Sequence, residues 1–150
     1  MSFQFRFASI LQLRRRERDE AGAAVGQANA AIGRIDEQCE AIQLERQSIL
    51  AGARERRVGN ISVDALLARG RYDLQLQAEI HSLGETRAEL IKELERRQGV
   101  LVASEAEVKR FERLEENERA ACHALQLRRE QAEADDATAR RYTIERRRKS

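Results

Sequence analysis

The sequence has no proline, no tryptophan, only 4% aromatic residues and two cysteines. Without proline, nothing removes backbone donors or forces kinks, so long helices can run unbroken. The shortage of large side chains excludes a thick globular core. Hydrophobic residues reach 41%, but much of that is alanine, which buries little area. Cys39 and Cys122 are too few and too far apart for a disulfide framework or a zinc site, so a reducing, cytoplasmic setting is expected. An excess of one charge is missing as well: 28 basic residues face 26 acidic ones, for a net charge of +2. A dedicated nucleic-acid binder needs an uncompensated basic surface, so no nucleic-acid partner is expected. No stretch approaches the roughly 18 consecutive apolar residues of a membrane span. Met1–Arg16 does not read as a signal peptide, because Arg6 interrupts its apolar stretch and its basic run follows that stretch.

What the chain does have is charge and period. Charged residues make up 36% of the 150, and apolar residues recur in alternating steps of four and three. In the first segment this stripe is Phe7, Leu11, Arg14, Arg18, Ala21, Val25, Ala28, Ile32, Ile35, Cys39, Ile42, Arg46, Ile49 and Ala53. Eleven of these fourteen positions are apolar, against eleven of the other thirty-three in the same span. Such a repeat, held over about seven heptads, marks a coiled-coil helix.

The stripe stops at Arg56–Ser62. Gly59 and Asn60 suit the left-handed backbone that closes a helix C-terminus, and Arg54, Arg56 and Arg57 suit its dipole. Ser62 reads as the N-cap of a second helix, with Asp64 in the first turn and Ile61 and Leu66 at staple spacing. The stripe resumes with Leu66, Leu76, Ile80, Leu83, Leu90, Leu94, Leu101, Val108 and Phe111. Arg69, Asp73, Arg87, Arg97, Ser104, Glu115 and Glu118 lie on the same line, and Cys122, Leu125, Arg129, Ala132, Asp136 and Ala139 continue it with fewer large apolar residues.

The expected fold is therefore all-α: one domain, a long antiparallel two-helix coiled-coil hairpin with a C-terminal helix overhang. Helix one is expected at about 5–57, the turn at about 58–62, helix two at about 63–145 and a basic tail at about 146–150. A short connection makes the helices antiparallel neighbours and pairs residues whose numbers total about 118. The small-residue run Ala21–Gly33 then faces Arg87–Arg97 and leaves room for arginine stems. Helix two outruns helix one, so its end is expected to lack a partner in its own chain.

Residues able to do chemistry are sparse. Neither His81 nor His123 has a second His or Cys at the spacing that puts metal ligands on one helical face. A two-helix rod offers its carboxylates no water-excluding pocket. No catalytic residue, metal, cofactor or small-molecule substrate is expected. Three surface features remain. One is the aromatic start Phe3, Phe5 and Phe7, followed by Arg14, Arg15 and Arg16. Another is the overhang, with Phe111, Leu114, Cys122 and Leu125 on one side. The third is the basic end of Arg140, Arg141, Arg146, Arg147, Arg148 and Lys149, which suits an acidic protein surface, anionic lipid or nucleic acid.

Both ends of the chain carry a family resemblance. Phe5-Arg6-Phe7-Ala8-Ser9-Ile10-Leu11-Gln12-Leu13-Arg14, Val108-Lys109-Arg110-Phe111-Glu112-Arg113-Leu114 and Glu130-Gln131-Ala132-Glu133-Ala134-Asp135-Asp136-Ala137 resemble the flagellar FliJ family. Tyr72, Leu76 and Ile80 add the spacing typical of the start of its second helix. The resemblance implies a small cytoplasmic component of the flagellar type III export apparatus, similar to the central stalk of rotary ATPases. Its implied partners are the export ATPase ring, the cytoplasmic domain of the export gate protein and export chaperones. Membrane association would be at most peripheral, at the inner face of the membrane at the flagellar base. The implied ATPase end comprises Phe5, Phe7, Leu11, Arg14, Phe111, Leu114, Cys122, Leu125, Glu130 and Gln131; the implied gate end has Tyr72 and Leu76. Glu79 departs from the small residue expected on the gate-facing stripe. Two other readings stay open: a cytoplasmic scaffold coiled coil that self-associates, and a helical module that binds nucleic acid through its basic ends.

Overall fold

A computed structural model describes residues 2–55 and 62–150. Two helices account for nearly all of them: α1, Ala8–Glu55, and α2, Val63–Arg148. The chain is an all-α helical hairpin, with no strand among the described residues. Most of the turn expected at 58–62, and the staple contact of Ile61, lie outside the described residues. Ser62 is described, and its Oγ accepts a hydrogen bond from the Ala65 amide at 3.1 Å, the N-cap that its position implies.

Helix α1 begins at Ala8, three residues later than expected. The preceding residues form a non-helical lead, with the Ala8 amide donating to the Phe5 carbonyl at 3.3 Å and the Leu11 amide to that of Phe7 at 2.9 Å. Phe5 is buried in this lead, so packing of its ring takes the place of a first helical turn. At the other end α2 continues to Arg148, three residues beyond expectation. Arg146, Arg147 and Arg148 occupy its last turn, where cations offset the unpaired carbonyls. Pairs such as Arg14–Glu17, Lys92–Glu89 and Arg119–Glu115 join neighbouring turns and support the helix weakly.

The chain divides into two units, Met1–Arg18 with Ser104–Ser150, and Asp19–Ala103. In the second unit the helices run antiparallel, since Arg46 meets Asp73, Arg87 meets Asp36 and Arg97 meets Ala24. Arg46 and Asp73 total 119, close to the expected register, and Arg87 and Asp36 total 123. The first unit is antiparallel too, with Arg6 bonded to Glu118, Phe7 against Phe111 and Leu11 packed with Val108. Its pairs total 124, 118 and 119 respectively, the long Arg6 side chain reaching along the helix.

Every one of the fourteen stripe positions on α1 is buried or half-buried, the arginines included. On α2 the same holds from Arg69 to Glu118. Leu66 differs: it falls on the stripe in the sequence but is 50% exposed in the structure. Among the described residues few side chains are buried: Phe5, Leu11, Ala21, Ala28, Leu76 and Val108, with no charged residue among them. This is the narrow seam that the composition allows. From Arg119 to Ser150 every residue is exposed.

Candidate protein-binding site

In the first unit, the non-helical lead lies against α2 and brings the aromatics of the N-terminus to the end of the seam. Phe5, Leu11 and Val108 form the buried centre of a cluster, with Phe3, Phe7 and Phe111 packed around it. Phe7 sits edge-on between Phe5 at 5.9 Å and Phe111 at 6.4 Å between ring centroids, the geometry that aromatic quadrupoles favour. Cations frame the cluster. Arg6 lies 4.6 Å above the Phe7 ring, Arg119 5.4 Å above Phe3 and Arg110 5.9 Å above Phe111. Arg6 also bonds Glu118 at 3.3 Å, and Arg15 bonds Glu112 at 3.2 Å.

Arg14, expected at this end, points Nη1 to Glu17 at 2.9 Å while its Nε is buried without a hydrogen-bond partner. The bond to Glu17 raises its pKa above the usual guanidinium value, and the Glu17 charge adds to that. Leu114 lies on the exposed side of Phe111. An open groove of about 500 Å³ there is lined by Lys109, Arg110, Phe111, Arg113, Leu114 and Asn117. With Ala106 also in its lining, the groove joins three apolar side chains to three cations.

The remaining residues of the expected ATPase end stand on the exposed arm. Cys122, Leu125, Glu130 and Gln131 are all exposed, and Gln126 donates to Glu130 at 3.1 Å within the helix. The expected site is thus brought together in part. Phe5, Phe7, Leu11 and Phe111 form one cluster, and Arg14 and Leu114 flank it. The other four lie further along α2. Sequence reasoning missed Val108 and Phe3 as members of the cluster, and Arg119 and Glu118 as the clasp on the lead. The alternation Phe3, Phe5, Phe7 was the available signal, since it fits an extended chain and not a helical turn.

The expected gate end is in the second unit. Leu76 is only 3% exposed, so it packs inside the seam and presents no surface. Tyr72 is partly exposed, and its hydroxyl donates to the Glu45 carboxylate. That bond, helped by partial burial and by the charges of Glu45 and Glu79, raises the Tyr72 pKa. Next to it, Arg46 and Asp73 are bonded at 2.8 Å, and Gln77 donates to Asp73 at 2.9 Å. Grooves open on both sides of this layer, one lined by Ile49, Gly52, Ala68, Arg69 and Tyr72, the other by Gln38, Ala41, Ile42, Glu79, Ser82 and Leu83. Glu79 is therefore a groove residue.

His81 is exposed and pairs with Glu85 at 3.3 Å. Among the described residues, no group of three or more His, Cys, Asp or Glu side chains is placed to hold a metal. No helix among them is long and apolar enough to cross a membrane.

Two long helices, a narrow apolar seam and surfaces built from aromatics, cations and open grooves define a helical-hairpin protein. A family model for the flagellar FliJ protein matches residues 3–147, nearly the whole chain. The chain belongs to the FliJ family and is a component of the flagellar export apparatus. Neither a search of curated proteins nor one of solved structures returns a match.

Proposed function

We propose that the chain is a non-enzymatic stalk of the flagellar type III export apparatus. Its C-terminal arm and the aromatic cluster engage the export ATPase ring. The turn-proximal part of the second unit meets the cytoplasmic domain of the export gate protein, with Tyr72 on its surface. Export chaperones are further partners, and the working position is the inner face of the membrane at the flagellar base. The observation that carries this reading is the arm itself. Helix α2 keeps its stripe through Cys122, Leu125, Ala132 and Ala139, yet every residue from Arg119 onward is exposed. A helix of this length, apolar along one line and unpartnered, draws its stability from tertiary packing in the usual case. Another protein is a natural source of that packing.

The test uses the purified chain and the flagellar export ATPase. The expected outcome is faster hydrolysis and more ring assembly, read by phosphate release and by sedimentation. Deleting residues 119–150 should abolish both while leaving the helical circular dichroism of the remaining pair. If the ATPase neither binds the intact chain nor changes its rate, the stalk reading fails.

A further inference from the structure

We propose that residues 140–149 of α2 bind directly to the surface of an anionic lipid bilayer. These ten residues carry Arg140, Arg141, Arg146, Arg147, Arg148 and Lys149 against one carboxylate, Glu145. The surplus is local, since the chain as a whole is only +2. Among the described residues none of these six cations has an ion pair, whereas Arg87, Arg46, Arg15 and Arg6 are matched to Asp36, Asp73, Glu112 and Glu118. The segment stays helical through Arg148, and every side chain in it is exposed. A helix dipole accounts for cations in the last turn, but Arg140 and Arg141 precede that turn.

Apolar side chains separate a lipid surface from other polyanions. Tyr142 and Ile144 are each more than half exposed within the basic segment, and Ile144 shares a groove with Arg140. Cations beside an exposed tyrosine and isoleucine suit the headgroup boundary, where charge meets phosphate and the apolar groups enter the acyl edge. A nucleic-acid duplex would use the cations and leave Tyr142 and Ile144 idle. A duplex lying along the helix would also meet Glu130, Glu133, Asp135 and Asp136, which repel phosphate. A bilayer can be met by the basic segment alone. This proposal stands apart from the stalk reading: it takes only residues 140–149 for the bilayer, leaves the arm before them to the ATPase ring, and its test contains no export protein.

The intact chain is sedimented with vesicles of phosphatidylcholine alone and with vesicles also containing phosphatidylglycerol. A labelled duplex oligonucleotide is titrated in the same buffer. Binding is expected only to the mixed vesicles, and it should weaken as added salt shortens the range of the charge attraction. R146A/R147A/R148A/K149A should lower the partition by about fivefold per cation, roughly a hundredfold or more in all. Y142S/I144S should retain the salt-sensitive part and lose the binding that persists at high salt. Equal binding to both vesicle types, no binding to either, an unchanged quadruple variant, or tighter binding to the oligonucleotide than to the mixed vesicles would each overturn the proposal.

Discussion

Arg46 and Asp73, 27 residues apart in sequence, face each other across the helix pair, with Nε donating to Oδ1 at 2.8 Å. Both side chains are 23% exposed, and both occupy stripe positions, so an ion pair replaces one apolar layer of the seam. The bond from Arg46 holds the Asp73 carboxyl below its usual pKa range, with the Arg46 charge and Gln77 helping and partial burial opposing. A folded pKa below the unfolded one gives stability that is fully present above the unfolded value. That stability disappears as pH falls through the folded value. Thermal melts followed by circular dichroism should therefore show the chain weakening below about pH 4. Asp73→Asn should lower the melting temperature at neutral pH and flatten part of that acid dependence. An unchanged acid profile in the variant contradicts the assignment.

The seam and the arm should respond differently to the same change. Leu11 is 4% exposed and packs against Val108, at 2%. Removing its side chain leaves a gap in a cluster only one layer deep, and Leu11→Ala should cost about 2–4 kcal/mol. Leu125 continues the stripe but is 50% exposed, so Leu125→Ala should change stability by less than about 0.5 kcal/mol. Urea unfolding of the two variants measures both. A comparable loss in both would mean that Leu125 is packed in the free protein.

The first stripe was legible residue by residue, because a helix that packs on a single partner must repeat its contacts every seven residues. Even Arg14, Arg18 and Arg46, which no hydrophobicity count would choose, are half-buried where the period places them. The facing of small residues against arginines was legible too. Arg97 passes into the alanine-rich stretch and donates to the Ala24 carbonyl at 2.7 Å. The lead was not legible. The period continues back to Phe7, but only tertiary packing decides that Phe5 leaves the helix to fill a gap beside Val108. The candidate gate residues show a further limit. The heptad line marks Leu76 as a seam position, while a family resemblance marks the same residue as a contact, and burial at 3% settles only its packing. Ion-pair partners such as Arg6 with Glu118 were hidden because they depend on the path of the lead.

Two small residues two positions apart should respond to enlargement with opposite signs. Ala28 is 3% exposed at a stripe position, where the approach of the helices leaves no volume for branches. Ala28→Leu should force the pair apart and cost about 1–3 kcal/mol. Gly26 is off the stripe and exposed, and a methyl group added to it would meet no atom within 4 Å. Its backbone is ordinary right-handed helix, with no positive φ to preserve. Gly26→Ala then removes freedom from the unfolded chain and adds helix propensity, for a gain of about 1 kcal/mol. Melting temperatures of the two single variants and of the double variant check this. Loss of stability in Gly26→Ala would place that face of α1 against a neighbour, and a neutral Ala28→Leu would mean that the seam is wider than the buried alanines indicate.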